Sequence, residues 1–290
     1  MPELPEVEHV KRGIEPLAIN QYIEEVEFSD AVIKGKEIGK DTIIKQMDLP
    51  MFKLYSEGYK IARIERRSKY ILFYIETDKD KRVLVSHLGM SGGFFIVDTL
   101  DDIIVPNYKK HWHVNFKLSN GKQLIFSDIR RFGEIKNVAD LSVHSSFSDM
   151  APEPFDETAF AHYKHQLSTK TYRKKPIKQV ILDHKVIAGC GNIYACEALF
   201  NAKIDPERPV NSLTEVEQKR VFDEVVKVLR LGIENGGTSV SSYRHADGKT
   251  GQMQHYLKVY KKKVCPVCGG PIHTKVIAGR NSHYCPHCQK

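Results

Sequence analysis

Apolar residues recur at two different periods along this chain, and the change of period divides it. Near the start, Val7, Val10, Ile14 and Leu17 fall at helical spacing and predict an amphipathic helix over 5–18. Pro5 suits its first turn, and Glu6 and Glu8 complement the positive end of the helix dipole. The period then drops towards two. Short runs rich in β-branched and aromatic residues cover 22–28, 60–66, 70–76, 82–87, 94–97, 114–118 and 123–127. Ser119-Asn120-Gly121-Lys122 supplies a hairpin turn between the last two. Residues 1–135 are therefore expected to form a β-sandwich with one N-terminal helix. Periodicity is lost over 136–152, which reads as a linker. Beyond it the pattern is helical: a helix over 155–166, a short one over 178–182, one beginning near Ile193, and an amphipathic one over 214–235 with Val216, Val221, Val225, Val228 and Leu229. The fold class is multidomain α+β. A helical domain occupies 153–257, and a β-hairpin zinc finger, argued below, occupies 258–290.

Charge and cysteines add to this picture. The net charge is +8, and residues 241–290 alone hold nine Lys and Arg against one acid, Asp247, an excess equal to that of the whole chain. Such a balance points to a polyanion. No apolar run is long enough to span a membrane and no secretory signal is present, so a cytoplasmic protein without a membrane partner is expected. In the basic tail, Cys265-x-x-Cys268 is followed after sixteen residues by Cys285-x-x-Cys288. This is the spacing of a tetrahedral zinc site, and a reducing cytoplasm disfavours the alternative of two disulfides. Four thiolates close the coordination sphere, so one Zn2+ is expected to be structural. Cys190 and Cys196 lie apart and read as buried.

Three loops and the N-terminus carry candidate chemistry. If Met1 is removed, Pro2 presents a secondary amine beside the carboxylate of Glu3. A reference α-amino group has a pKa of about 7.7–8.0 against about 10.4 for lysine, so far more of it is unprotonated at neutral pH. Such amines attack aldehyde-level carbon to give Schiff bases. Lys69 follows Arg66-Arg67-Ser68. Met90 sits in the glycine-rich His87-Leu88-Gly89-Met90-Ser91-Gly92, and Arg130 and Phe132 in Asp128-Ile129-Arg130-Arg131-Phe132-Gly133. Apolar wedges flanked by arginine push between base steps and kink a duplex. His111 and His113 alternate on a strand with no further ligand in view, so a metal there is rejected. Gly189-Cys190-Gly191-Asn192 precedes a helix whose N-terminus suits a phosphate. Residues 235–252 read as a mobile glycine-rich loop.

These segments, taken in order, resemble the formamidopyrimidine-DNA glycosylase family. The resemblance rests on Pro2-Glu3-Leu4-Pro5-Glu6-Val7-Glu8, the Lys69-Tyr70 turn, the two wedge loops, Lys110-His111-Trp112-His113, the Gly189–Asn192 turn and the cysteines, and it covers nearly the whole chain. It implies a bifunctional glycosylase and lyase of base-excision repair. The partner is duplex DNA containing oxidised purines, such as 8-oxoguanine opposite cytosine and formamidopyrimidines, and the enzyme is expected to be a monomer. Pro2 would be the nucleophile, Glu3 the acid, and Glu6 a support of the N-terminus. Lys69 would contact phosphate near the lesion. Met90, Arg130 and Phe132 would fill the void left by the flipped nucleotide. His111, Arg130, Arg173, Lys178 and Asn192 would contact DNA, with Asn192 in a helix–two-turn–helix motif. Arg280, presented by the zinc-finger hairpin, would hold the lesion phosphate and assist the second elimination. Relatives often carry a basic residue where this chain has Ser241, which leaves that contact open.

Two rivals stand beside this reading. An endonuclease VIII-like enzyme for oxidised pyrimidines shares the architecture, but those relatives typically have Gly where this chain has Leu4. A non-catalytic zinc-ribbon DNA-binding protein accounts for the charge and the cysteines but not for Pro2, Glu3 and the wedge loops.

Overall fold

The computed structural model describes residues 2–239 and 248–290. It divides into two compact units. The first runs to Ser148 and includes the described part of Gly236–Gly251; the second comprises Asp149–Asn235 and Gln252–Lys290.

The first unit opens with helix α1 (Leu4–Ala18). There follow β1 (Ile23–Phe28), α2 (Asp30–Glu37), β2 (Ile43–Ile44), α3 (Leu49–Leu54), β3 (Lys60–Arg67), β4 (Tyr70–Glu76), β5 (Lys81–His87) and β6 (Gly92–Val97). Then come α4 (Pro106–Lys110), β7 (Trp112–Leu118), β8 (Gln123–Asp128), β9 (Glu134–Val138) and α5 (Ser145–Ser148). One sheet has the order β1-β7-β8-β6 and the other β2-β9-β5-β4-β3. The expected sandwich is present. Val114, Phe116, Leu124 and Phe126 of the first sheet and Ile61, Ile64, Phe73 and Leu84 of the second share one core with Val7, Val10 and Ile14 of α1. The helical stripe is shifted from the expected one: Leu17 is 42% exposed, and Leu4 and Ala18 are buried instead.

The expected linker differs. β9 pairs with β5 from Val83↔Val138 to His87↔Glu134, and Leu141 and Phe147 cover the outer face of β4 and β5 beside Leu72, Val83 and Val85. Tyr70 meets His144 and Phe147 with ring centroids 5.9 and 5.1 Å away. Residues 136–148 thus pack on the first unit. Val138, Leu141 and Phe147 sit in three separate short elements, so no periodic pattern reveals them.

The second unit holds α6 (Ala159–Ser168), α7 (Ile177–Ile181), α8 (Asn192–Ala202), α9 (Glu215–Glu234), β10 (His273–Ile277) and β11 (Arg280–Tyr284). Every residue of α8 from Ile193 to Phe200 is buried, as befits a helix apolar on most sides. Its one acid, Glu197, accepts backbone N–H bonds from Lys258, Val259 and Tyr260 at 2.7, 3.0 and 2.8 Å. Burial pushes the carboxyl pKa up, and those three bonds anchor the segment leading into the hairpin. Among the described residues no helix is long and apolar enough to cross a membrane.

Candidate active site and nucleic-acid interface

The N-terminus is held by a reciprocal cap. Glu3 is the N-cap of α1, its side chain accepting from the backbone of Glu6, while Glu6 Oε2 accepts from Glu3 N at 2.8 Å. The other oxygen of Glu6 accepts from Thr238 N at 2.6 Å. Gly237, at φ 75°, makes that approach feasible, because a Cβ there would lie 2.9 Å from Glu6 Oε1. Pro2, Glu3 and Glu6 are all buried. Glu6 therefore positions the first residues of the chain rather than only favouring a helix dipole.

Lys69 lies in the two-residue turn between β3 and β4, after Ser68 at φ 55°. Arg66 donates to Ser68 O at 3.0 Å and to Glu8 Oε2 at 2.9 Å, while Arg12 donates to Glu8 Oε1 at 2.7 Å. Burial raises the Glu8 pKa, but the two guanidinium groups outweigh it and hold the carboxyl below its usual range. Arg66 and Glu8 thus tie the Lys69 turn to the helix that carries Pro2.

The wedge candidates occupy neighbouring loops. Met90 is half-buried between β5 and β6, and Arg130 and Phe132 are exposed after β8. Phe132 is 56% exposed, with the Arg130 guanidinium 4.9 Å from its ring centre. His87 Nδ1 accepts from Gly89 N at 3.1 Å, and burial pushes its pKa down to about 4, so the ring is neutral. His111 follows α4 and is partly exposed. His113 is buried between Ser29 Oγ at 3.2 Å and Asp128 O at 2.9 Å, so its ring nitrogens serve the fold.

In the second unit, Gly191 caps α8 and Asn192 is its first residue. Lys178, a DNA contact by resemblance, is 0% exposed. Its ammonium donates to Asn192 Oδ1 at 2.8 Å, Cys196 Sγ at 3.1 Å and Ser282 Oγ at 2.7 Å. Three donors meet three acceptors, so Lys178 joins α7, α8 and the hairpin instead of presenting its charge to solvent. Asn192 Nδ2 donates to Asn281 O at 2.9 Å. Its side chain thereby bonds within the unit, while the N–H groups at the start of α8 lie outside the helix ladder. Arg173 is exposed. Arg280 is exposed after Ala278-Gly279, a two-residue turn with both φ values positive that the right-handed strand twist favours. Cys190 and Cys196 are buried outside the cysteine cluster, and burial raises the Cys196 thiol pKa. Ser241 lies outside the described residues.

The sulfur atoms of Cys265, Cys268, Cys285 and Cys288 all lie within 4.8 Å of one another. Cys265 and Cys288 are 3.8 Å apart, and Cys268 and Cys285 3.5 Å. A tetrahedron with Zn–S bonds of about 2.3 Å has edges of about 3.8 Å, whereas a disulfide brings sulfurs to about 2.05 Å. The donor set fits a closed zinc site.

Residues 1–135 match the family model of the formamidopyrimidine-DNA glycosylase N-terminal domain, 150–244 that of the H2TH domain of the same enzyme, and 262–290 that of the zinc finger found in FPG and IleRS. The formamidopyrimidine-DNA glycosylase of Streptococcus pyogenes serotype M3 is 40% identical over 300 residues, covering 100% of this chain and 99% of the relative. The chain belongs to the formamidopyrimidine-DNA glycosylase family. Among further members, that of Streptococcus thermophilus strain CNRZ 1066 is 37% identical, with both chains fully covered. The MutM (Fpg) crystal structure from Thermus thermophilus superposes with TM-score 0.82 at 35% identity, covering 99% of this chain and 98% of that one. Lactococcus lactis Fpg in complex with DNA containing an abasic site gives 0.82 at 34% identity over the whole of both chains. As in the family's zinc finger, the four cysteines hold one structural zinc.

Several supports of this glycosylase's site are invisible to motif spacing. Thr238 and Arg66 act through backbone and ion-pair geometry. Ser282 belongs to no motif, and only its burial in β11 and its bond to Lys178 reveal it. Asp128 opens the Asp128–Gly133 motif, yet only its burial and its bonds reveal a role.

Proposed function

We propose that this DNA glycosylase of base-excision repair removes oxidised purines and cleaves the strand at the resulting site. The damaged nucleotide leaves the stack, as chemistry on a base within a duplex requires. The Pro2 amine attacks the sugar C1′ while the bond to the base breaks, and Glu3 protonates the sugar-ring oxygen as the ring opens. The iminium so formed acidifies C2′; loss of that proton expels the 3′ phosphate, and a second elimination expels the 5′ phosphate. Lys69, Arg173 and Arg280 hold phosphates, as do the backbone donors at Asn192. His111 lies along the DNA, and Met90, Arg130 and Phe132 fill the void. Association with the nucleoid follows from DNA binding in the cytoplasm.

The observation that carries this reading is the double anchoring of Glu6, which fixes the residues bearing the amine from two directions. It agrees with the presence of Fapy-dG and abasic-site DNA in structures of the Lactococcus lactis relative. The test is borohydride trapping on a duplex with one 8-oxoguanine opposite cytosine, followed by peptide mapping. A covalent adduct on Pro2 is expected, which also requires that Met1 has been removed. Full excision and strand cleavage by Pro2→Gly would reject the nucleophile. Preference for thymine glycol over 8-oxoguanine would favour the endonuclease VIII-like reading.

A further inference from the structure

Asp128 takes no part in the steps above, yet several strands of the interface converge on it. It ends β8 and is 0% exposed. Oδ1 accepts from Ser91 Oγ at 2.6 Å and from Arg130 N at 3.1 Å, and Oδ2 accepts from Gly133 N at 2.7 Å. Ser91 Oγ also accepts from Arg130 N, at 2.9 Å. The backbone of Asp128 extends the set: its N–H donates to His111 O at 3.0 Å, and its carbonyl receives the His113 ring at 2.9 Å.

The partners share one property. Ser91 adjoins Met90, and Arg130 and Gly133 bracket Phe132. A single side chain therefore joins the two loops that bear all three wedge candidates, and its backbone joins the segment bearing His111. The loops also touch directly. A Cβ on Gly89, at φ 59°, would come within 2.4 Å of Gly133 N, and one on Gly133 within 3.1 Å of Asp128 Oδ2. Only glycines allow the two backbones to meet over the carboxylate. Above that floor Arg130, Arg131 and Phe132 are exposed and belong to no strand or helix. Exposed side chains on irregular backbone lose conformational freedom when they insert, and a preformed anchor reduces that cost. A carboxylate suits the anchor because it only accepts, and every group facing its oxygens donates.

We propose that Asp128 is the positioning residue of the wedge, holding Met90, Arg130 and Phe132 at one spacing so that they enter the duplex as a unit. This rests on the void-filling role assigned above to those three residues. Asp128 matters where a stacked duplex must be opened, and not where no duplex exists.

The experiment uses the zinc-loaded full chain carrying Asp128→Asn or Ser91→Ala. Two substrates are compared under single turnover: a duplex with 8-oxoguanine opposite cytosine and 2-aminopurine beside the lesion, and a single-stranded oligonucleotide with a preformed abasic site. Asp128→Asn turns one acceptor into a donor against Gly133 N or Ser91 Oγ, and removing such a buried bond costs roughly tenfold to a hundredfold. Duplex excision and the 2-aminopurine rise should slow together by that factor, while abasic cleavage in the single strand keeps the wild-type rate. Ser91→Ala should show a smaller loss with the same split. Wild-type 2-aminopurine kinetics in both variants overturns the proposal. So does a parallel fall on both substrates, which would mean that Asp128 merely supports the fold. If Asp128→Asn does not accumulate as folded protein, the split in Ser91→Ala decides alone. Failure of the underlying functional reading is distinct, since the wild-type chain would then neither excise nor trap.

Discussion

Replacing Glu6 with glutamine tests how the N-terminus is held, because it changes little except the number of acceptors. The native carboxylate presents one oxygen to Glu3 N at 2.8 Å and the other to Thr238 N at 2.6 Å, at a site 1% exposed. A glutamine offers one oxygen and one NH2 group, so one of those two backbone donors must face a donor. Leaving a buried donor unsatisfied costs about 1–3 kcal/mol, and the bond lost was charge-assisted. If the energy is drawn from the positioned state of the first residues, the Schiff-base step should slow roughly tenfold to a hundredfold. Glu3 still caps α1 through its own side chain, so the helix should persist. The assay is the single-turnover rate of borohydride trapping on 8-oxoguanine opposite cytosine, with affinity for the duplex measured separately. The expected result is slow trapping at unchanged affinity, and a larger loss for Glu6→Ala, which abandons both donors. Wild-type trapping by Glu6→Gln would refute the reasoning. So would a rate loss matched by an equal loss of folded protein, since the contact would then support only stability.

Three further outcomes follow from other parts of the molecule. Cys265→Ser, or a strong chelator, should remove the zinc, unfold the hairpin that presents Arg280 and abolish tight DNA binding, since folding and metal binding are coupled in such sites; retained affinity in zinc-free protein, checked by metal analysis, contradicts this. The logarithm of DNA affinity should fall linearly with that of salt concentration, by about 0.9 per phosphate neutralised, and a flat response in a fluorescence titration contradicts phosphate-dominated binding. Stability should decline as pH falls from about 6.5 to about 4, because burial depresses the His87 pKa to about 4 and lowers those of His113 and His144 as well. Across that window the unfolded chain binds more protons than the native one, so acid favours unfolding; urea melts of His87→Gln should show a shallower pH slope than wild type.

What could be read from the sequence was whatever is local. The stripe of α1 from Val7 to Ile14, the strands β1 and β3–β8, the long helix α9 and the four cysteines all express their structure within a few neighbouring residues. The elements without a stripe escaped. α2 buries only Val32 and Gly35, α3 only Phe52, and β2 is two residues paired with β9. Residues 136–148 escaped for the same reason, because their contacts with the outer face of β4 and β5 follow no period. The site divides along the same line. Pro2, Glu3 and Glu6 lie within five positions, so their capping geometry is implicit in their spacing.

Lys178 shows where local reasoning fails. The family resemblance implies a DNA contact for Lys178, whereas an ammonium buried without acceptors is costly. The cost is met here by three acceptors, Asn192, Cys196 and Ser282, that lie 14, 18 and 104 residues along the chain. No window of sequence contains that set. The same principle governs Asp128, whose partners Ser91 and Gly133 stand 37 residues before it and 5 after. Buried polar groups of this kind are satisfied only by the finished fold. They set the spacing of the groups that motifs reveal, and so the reacting residues can be recognised from sequence while the residues that aim them cannot.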